Sequence, residues 1–207
     1  MRIFLACALA CFSLAAFGDE YKGLKITAEV NTPKYKRSLY NHWIDADGDN
    51  EDARQEVLIA ESLTEPALKI ISGDSRVQSG LWAAPYCGYV TTDPGTLDVD
   101  HMVPLKEVHL SGGYKWPPEK REAYANDLSD SKTLIAVKAG CNRSKGFKDP
   151  ADWLPPNRAY WCTYLTEWVA IKQKWQLTMD QAEVDAVKEG FRVCGKYKAG
   201  DELAGRH

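Results

Sequence analysis

Apolar positions change their period along this chain, from an unbroken run at the start, through alternation in the middle, to helical spacing near the end. Residues 3–17 carry no charge, follow Arg2 and lead into Ala16-Phe17-Gly18, which reads as an export leader over 1–18 that leaves Asp19 first. The run is short for a bilayer span and charged sequence follows at once, so no membrane segment is expected once the leader is gone. Ala8-Leu9-Ala10-Cys11 is only a loose lipoprotein-like box, with Ala where Leu would be expected.

Beyond the leader, Leu24 to Val30 alternates and predicts a strand, followed by a basic loop and then an acidic one. A helix is expected from Ala53 to Leu63. The stretch from Gly73 to Gly95, rich in glycine, proline and aromatics, reads as loop with short strands. Leu97 to His101 and Thr133 to Val137 predict two strands. Between them a helix opens at Pro117-Pro118-Glu119, with proline and an acid in its first turn, and runs to Ala125. Asp149-Pro150 opens another short helix ending before Pro155-Pro156. Trp161, Leu165, Trp168, Ile171 and Trp175 then recur at helical intervals. Thr178-Met179-Asp180-Gln181 opens a second helix as a capping box, with Val184, Val187 and Phe191 as its buried stripe. Residues 196–207 carry no stripe and read as a polar tail.

This order of elements makes an α+β fold, and 207 residues with 7 Trp and 10 Tyr can bury one core, which gives a single domain over 19–207. Two of the 6 cysteines leave with the leader; Cys87, Cys141, Cys162 and Cys194 remain, an even number for an oxidising compartment. If the chain reverses near Leu177, Cys162 and Cys194 face each other across a helical hairpin. Cys87 then pairs with Cys141 by remainder. No C-x-x-C spacing favours zinc instead.

The formal net charge is −3, and losing Arg2 makes the mature chain slightly more acidic, whereas nucleic-acid binders are usually basic. The excess is local: Asp45, Asp47, Asp49, Glu51, Asp52 and Glu56 face only Arg54 in that stretch, while Arg143, Lys145 and Lys148 lie together without an acid. Such a chain should hold DNA weakly and salt-dependently, which suits turnover better than a stoichiometric coat.

The chemistry concentrates in Asp98-Val99-Asp100-His101 and Asn142-Arg143-Ser144-Lys145-Gly146. Together they supply a proton acceptor, oxygen donors for a hard divalent ion and cations for phosphate, the parts needed to hydrolyse a phosphodiester. Carboxylate and amide oxygens favour Mg²⁺ or Mn²⁺ over zinc. Order and spacing resemble the HNH nuclease signature, in the form with Asp-His first and Asn-Arg-x-Lys last. Similarity to secreted relatives of the GmrSD-type restriction nuclease C-terminal domain extends through Arg54-Gln55-Glu56-Val57-Leu58, Ser79-Gly80-Leu81-Trp82, Pro85-Tyr86 and Asp152-Trp153-Leu154-Pro155-Pro156.

That resemblance implies a ββα-metal core at about residues 95–155, additional helices, and a disulfide-linked helical hairpin at about 158–195. It implies His101 as general base, Asp100 and Asn142 as metal ligands, and Asn126 as the brace of the loop carrying the base. Lys145 and Arg143 would be phosphate contacts, and Arg54 a third cation able to reach the scissile group. Products would carry 5′-phosphate and 3′-hydroxyl ends. The substrate would be DNA, with RNA as an alternative, cut with little sequence preference, since no base-reading module is visible. The sequence has Asp where many HNH enzymes have the first His, and Asn where many have the last, which leaves the preferred ion open.

Other readings stand beside this one. Asp45-x-Asp47-x-Asp49-Asn50, with Glu56 twelfth, has calcium-loop spacing, with Asn in place of the usual glycine at position six. A secreted, calcium-stabilised binding module without catalysis is therefore the alternative class. A nuclease toxin with a dedicated inhibitor protein is a third. His109 is a candidate further ligand, and equally a packing residue; His42 and His207 have weaker claims. Asn142-Arg143-Ser144 is also a glycosylation triplet, and a glycan there would block a metal ligand, which favours bacterial export or a fold that hides the site first.

Overall fold

The computed structural model of the chain describes residues 23–129 and 133–195; the expected leader, the polar tail and His207 lie outside them. In chain order the main elements are α1 (Ala53–Ala60), β1 (Ala67–Ile71), β2 (Asp74–Ser79), β3 (Trp82–Ala84), β4 (Tyr89–Thr91), β5 (Leu97–His101), α2 (Leu105–Leu110), α3 (Pro118–Ala125), β6 (Leu134–Lys138), α4 (Ala139–Lys145), α5 (Trp161–Lys174) and α6 (Gln181–Cys194). The fold is mixed α and β, with the strands paired as β1-β2, β3-β4 and β5-β6, all antiparallel.

The β5-β6 ribbon organises the molecule because it separates two apolar cores. Leu97 and Val99 of β5, with Leu134 and Ala136 of β6, pack into a smaller core with Val57 and Leu58 of α1, Val77 of β2 and Trp82 of β3. Ile135 and Val137 point the other way, into a larger core built with Val108, Tyr124, Leu165, Trp168, Val184 and Phe191. A strand exposes alternate residues to opposite faces, so Asp98 and Asp100, paired across the ribbon with Val137 and Ile135, lie on the side of the larger core.

The larger core is closed by the α5-α6 hairpin. Cys162 and Cys194 are bridged with Cα atoms 5.3 Å apart, and Cys87 and Cys141 with Cα atoms 6.5 Å apart, the two pairs expected from spacing. At Gly190 any Cβ would stand 2.4 Å from Leu165 Cδ1, so a larger residue there would make the Leu165 side chain shift at the α5-α6 contact. Lys172, fully buried, joins three helices through 2.7 Å bonds to Glu107 of α2 and Glu183 of α6. No described helix is long and apolar enough to cross a membrane.

Several expectations need correction. The alternating segment from Leu24 to Val30 forms only a single bridge, Ile26 to Met179, because it meets a turn and not a sheet edge on which a ladder could extend. The short helix expected from Asp149 is a turn; the helix that follows β6 is α4, in residues where the sequence pattern predicted no element. The α6 cap is Asp180, whose carboxylate accepts from Glu183 N at 2.8 Å, while Thr178 donates to Ser111 O. The segment 73–95 does hold short strands, β2, β3 and β4, as expected, but β1, with every residue exposed, precedes it where no strand was expected.

Candidate active site

β5, α4 and the 3-10 turn Pro85–Cys87 converge behind a cleft of about 390 Å³, whose lining includes Asp100, His101, Asn142 and Arg143. Because α4 begins directly after β6, Asn142 and Lys145 are carried back along β5. Asn142 Nδ2 donates to Asp98 Oδ2 at 3.1 Å, and Lys145 Nζ donates to Asp100 Oδ2 at 2.6 Å and to His101 O at 3.0 Å. The Cys87-Cys141 bridge ties the turn to this helix. On the turn, Tyr86 donates its hydroxyl to Asp100 Oδ2 at 2.9 Å.

His101 is buried and its Nε2 lies 2.9 Å from Ala125 O at the end of α3. A carbonyl only accepts, so Nε2 carries the proton and Nδ1 is left as the ring's basic atom. Tyr124 stacks on the imidazole with centroids 6.1 Å apart, and Trp43 lies against it at 5.5 Å. Burial, aided by the nearby His42, Arg37 and Lys145, pushes the ring down to about 3, so it is neutral at physiological pH.

Asp100 Oδ2 takes both the ammonium and the phenol, whereas Oδ1 has no hydrogen-bond partner among the described residues. Burial pushes the carboxyl up, opposed by Lys145, and pushes the Lys145 ammonium down. Burial and the neighbouring Asp100 hold the Tyr86 phenol well above its ordinary range, which keeps it a donor. With Nδ2 committed to Asp98, the Asn142 carbonyl oxygen has no hydrogen-bond partner among the described residues and could take a ligand. Nδ2 is also the atom a glycan would use, and here it is engaged inside the fold.

The remaining expected residues separate. Arg143 is exposed at the cleft, as a phosphate contact would be. Lys145 is not: its side chain is 0 % exposed and behind Asp100, so the expectation of a direct phosphate contact is corrected by burial and by its two partners. Arg54 donates to Leu97 O at 3.3 Å and does not line the cleft. Asn126 braces a different segment from the one expected: Nδ2 donates to Asn41 O and Glu122 O, and Oδ1 accepts from Ile44 N, fastening residues 41–44 with Trp43 to the end of α3. His109 is a packing residue, with Nε2 2.7 Å from Pro33 O and Nδ1 near the Tyr40 hydroxyl. His42 places Nδ1 on Tyr40 O and receives Arg37 at Nε2.

In the acidic loop, Asp45, Asp47 and Asp49 bring carboxylate oxygens within 4.8 Å of one another; Glu56 stands outside that group. Asp45 accepts from Gly48 N at 2.8 Å and Asn50 N at 3.0 Å, and Asn50 takes the left-handed φ of 74° that the missing glycine would have taken.

The family model for the C-terminal domain of GmrSD restriction endonucleases matches residues 33–187, the stretch that contains all of these side chains. The chain belongs to that family. The GmrSD C-terminal-domain chain is also 33% identical over 172 residues to an uncharacterized secreted protein of Arthroderma benhamiae, covering 83% of this chain and 81% of the relative. No solved structure matches. The sequence reading missed Tyr86 as a partner of Asp100 and Ala125 O as the partner of His101. The Pro85-Tyr86 stretch was the signal for the first; a backbone carbonyl leaves no signal in sequence.

Proposed function

We propose that this GmrSD C-terminal-domain chain is an exported, metal-dependent HNH-type endonuclease that hydrolyses phosphodiester bonds of DNA, with RNA as an alternative substrate. The order β5, β6, α4, with the candidate residues on β5 and α4, supports reading this part as a ββα-metal core. The observation that carries the reading is the His101 hydrogen bond: Nε2 is spent on Ala125 O, so Nδ1 is a neutral acceptor on a residue lining the cleft. That atom takes the proton from water as its oxygen attacks phosphorus, the bond from phosphorus to the 3′-oxygen breaks, and the departing 3′-oxygen takes a proton from solvent.

Asp100 and Asn142 would hold one divalent ion, since each keeps a side-chain oxygen without a hydrogen-bond partner among the described residues. All-oxygen donors fit Mg²⁺ or Mn²⁺. When bound, such an ion supplies charge neutralisation on the phosphate. Lys145 and Tyr86 orient Asp100 by occupying its other oxygen, which makes them positioning residues. Arg143 meets the substrate backbone from the cleft wall. The apolar leader of residues 1–18 and the description of the fungal relative as secreted support export.

The test is nicking of supercoiled plasmid by purified protein with Mg²⁺ or Mn²⁺, with and without chelator. Chelation and His101→Ala should each abolish cleavage, and His101→Ala should leave circular dichroism unchanged. Metal-independent cleavage, or an active variant, would overturn the assignment.

The acidic loop supports a second reading, a calcium-stabilised binding module without catalysis, because its three aspartates converge. This reading requires a melting temperature that rises with Ca²⁺ and falls on Asp47→Asn, with no plasmid nicking. A dedicated inhibitor protein would be the partner if the nuclease acts as a toxin, and an affinity pull-down would find it.

A further inference from the structure

The cleft beside His101 carries more than catalytic parts. Its wall holds Arg37, Lys106 and Arg143 together with two aromatic rings, Tyr35 and Phe147. Phe147 is 55% exposed beside these charged groups, so its ring is open to solvent at the cleft wall. The chain delivers it there because Gly146 ends α4 with φ 59°, turning the next residue out. Lys106 Nζ lies 3.4 Å from the Phe147 ring centroid, so one face of the ring is backed by a cation. Tyr35 is braced from behind: its ring lies 5.6 Å from that of His109, itself fixed to Pro33 O, and 6.0 Å from that of Tyr40.

Tyr35 is half-buried and Phe147 exposed, and a basic groove with open ring faces in its wall suits single strands, cations following the phosphates and rings taking the flat faces of bases. In a duplex those faces are buried in the stack, so an exposed ring at the groove wall gains nothing from paired DNA. We infer that this cleft selects unpaired nucleic acid, with Phe147 stacking on a base next to the scissile phosphate and Tyr35 as a second platform. Arg37 and Lys106 flank the strand as phosphate contacts. This specificity rests on the nuclease reading of the same site, and adds residues on which the sequence patterns that suggested it are silent.

Initial rates on a fluorescein-labelled oligothymidylate and on a duplex containing that strand test it. The wild-type protein should prefer the single strand. Phe147→Ala should lower kcat/KM on the single strand by about tenfold, while duplex cleavage changes by less than about twofold. Phe147→Trp should restore single-strand cleavage and Phe147→Leu, apolar without a π face, should not. A wild-type preference for duplex, equal losses on both substrates, or full activity of Phe147→Ala would overturn the inference. Fluorescence anisotropy of the labelled strand with His101→Ala protein separates the two ideas. If wild type cuts neither substrate, the nuclease reading falls. In that case Phe147-dependent binding of the strand sustains the stacking site, and binding indifferent to Phe147 removes it.

Discussion

Lys145 holds its ammonium 2.6 Å from Asp100 Oδ2, with side chains 0% and 8% exposed. Breaking a buried pair from one side strands the other charge, at a cost of about 3–5 kcal/mol. Lys145→Met should therefore lower the unfolding free energy in urea by about that much, and adding Asp100→Asn should recover at least about half of it. Both proteins should be inactive. A Lys145→Met protein as stable as wild type would mean the pair is not formed in solution.

The two disulfides should differ in what they protect. Each closes a loop of 54 or 32 residues and should contribute about 3–4 kcal/mol by constraining the unfolded chain. Only Cys87-Cys141 flanks the site, through Tyr86 and Asn142. Cys162→Ser with Cys194→Ser should lower Tm and leave cleavage near wild type at temperatures where the protein is folded. Cys87→Ser with Cys141→Ser should lower Tm and also reduce kcat. Equal activity of the two folded variants would refute this division.

Glu61 gives a pH dependence with a definite sign. Its Oε2 accepts from Ala136 N at 2.9 Å, and burial pushes the carboxyl up from 4.5 to about 7. Below 4.5 it is protonated in both states and its contribution is whole. Between 4.5 and about 7 the unfolded chain ionises first, so that contribution is lost as pH rises through the folded value. Glu61→Gln should remove this slope and stabilise the protein at pH 8 by up to about 3 kcal/mol, less for residual solvent screening. Parallel wild-type and variant slopes of stability from pH 5 to 8 would rule it out.

Asn126→Ala should loosen the segment that carries Trp43 against His101. It leaves Asn41 O and Ile44 N without their partner, at a cost of about 1–3 kcal/mol. Cleavage should fall more than stability at saturating substrate. Asn126→Asp should not rescue, because a carboxylate cannot donate to Asn41 O and Glu122 O. Rescue by aspartate would exclude the bracing role.

Strong local patterns were legible in the sequence. Leu97 to His101 is a strand with the bounds its alternation gives, and both cysteine pairs follow from where the hairpin reverses. What failed depends on tertiary partners. α4 has no apolar stripe and no side-chain cap; it is held by Cys141, Asn142 and the buried Lys145. A lysine next to arginine and serine reads as surface, and only the fold reveals a carboxylate waiting inside. Leu24 to Val30 alternates, yet a strand needs a neighbour, which the turn at Met179 does not extend. Of the residues singled out from the sequence, Asp100, His101, Asn142 and Arg143 line one cleft, whereas Arg54 and Asn126 bond elsewhere, Glu56 stands outside the acidic cluster and Lys145 faces inward.

The β5-β6 ribbon is a party wall between two rooms, and that has a consequence for a protein whose proposed work is cutting nucleic acid. Two strands alone are marginally stable in water. Asp98, Asp100 and His101 keep their places only while both cores press on the ribbon from either side. A chain that has not formed both cores cannot hold these side chains in place, so under the proposed function it could not cut before folding is complete.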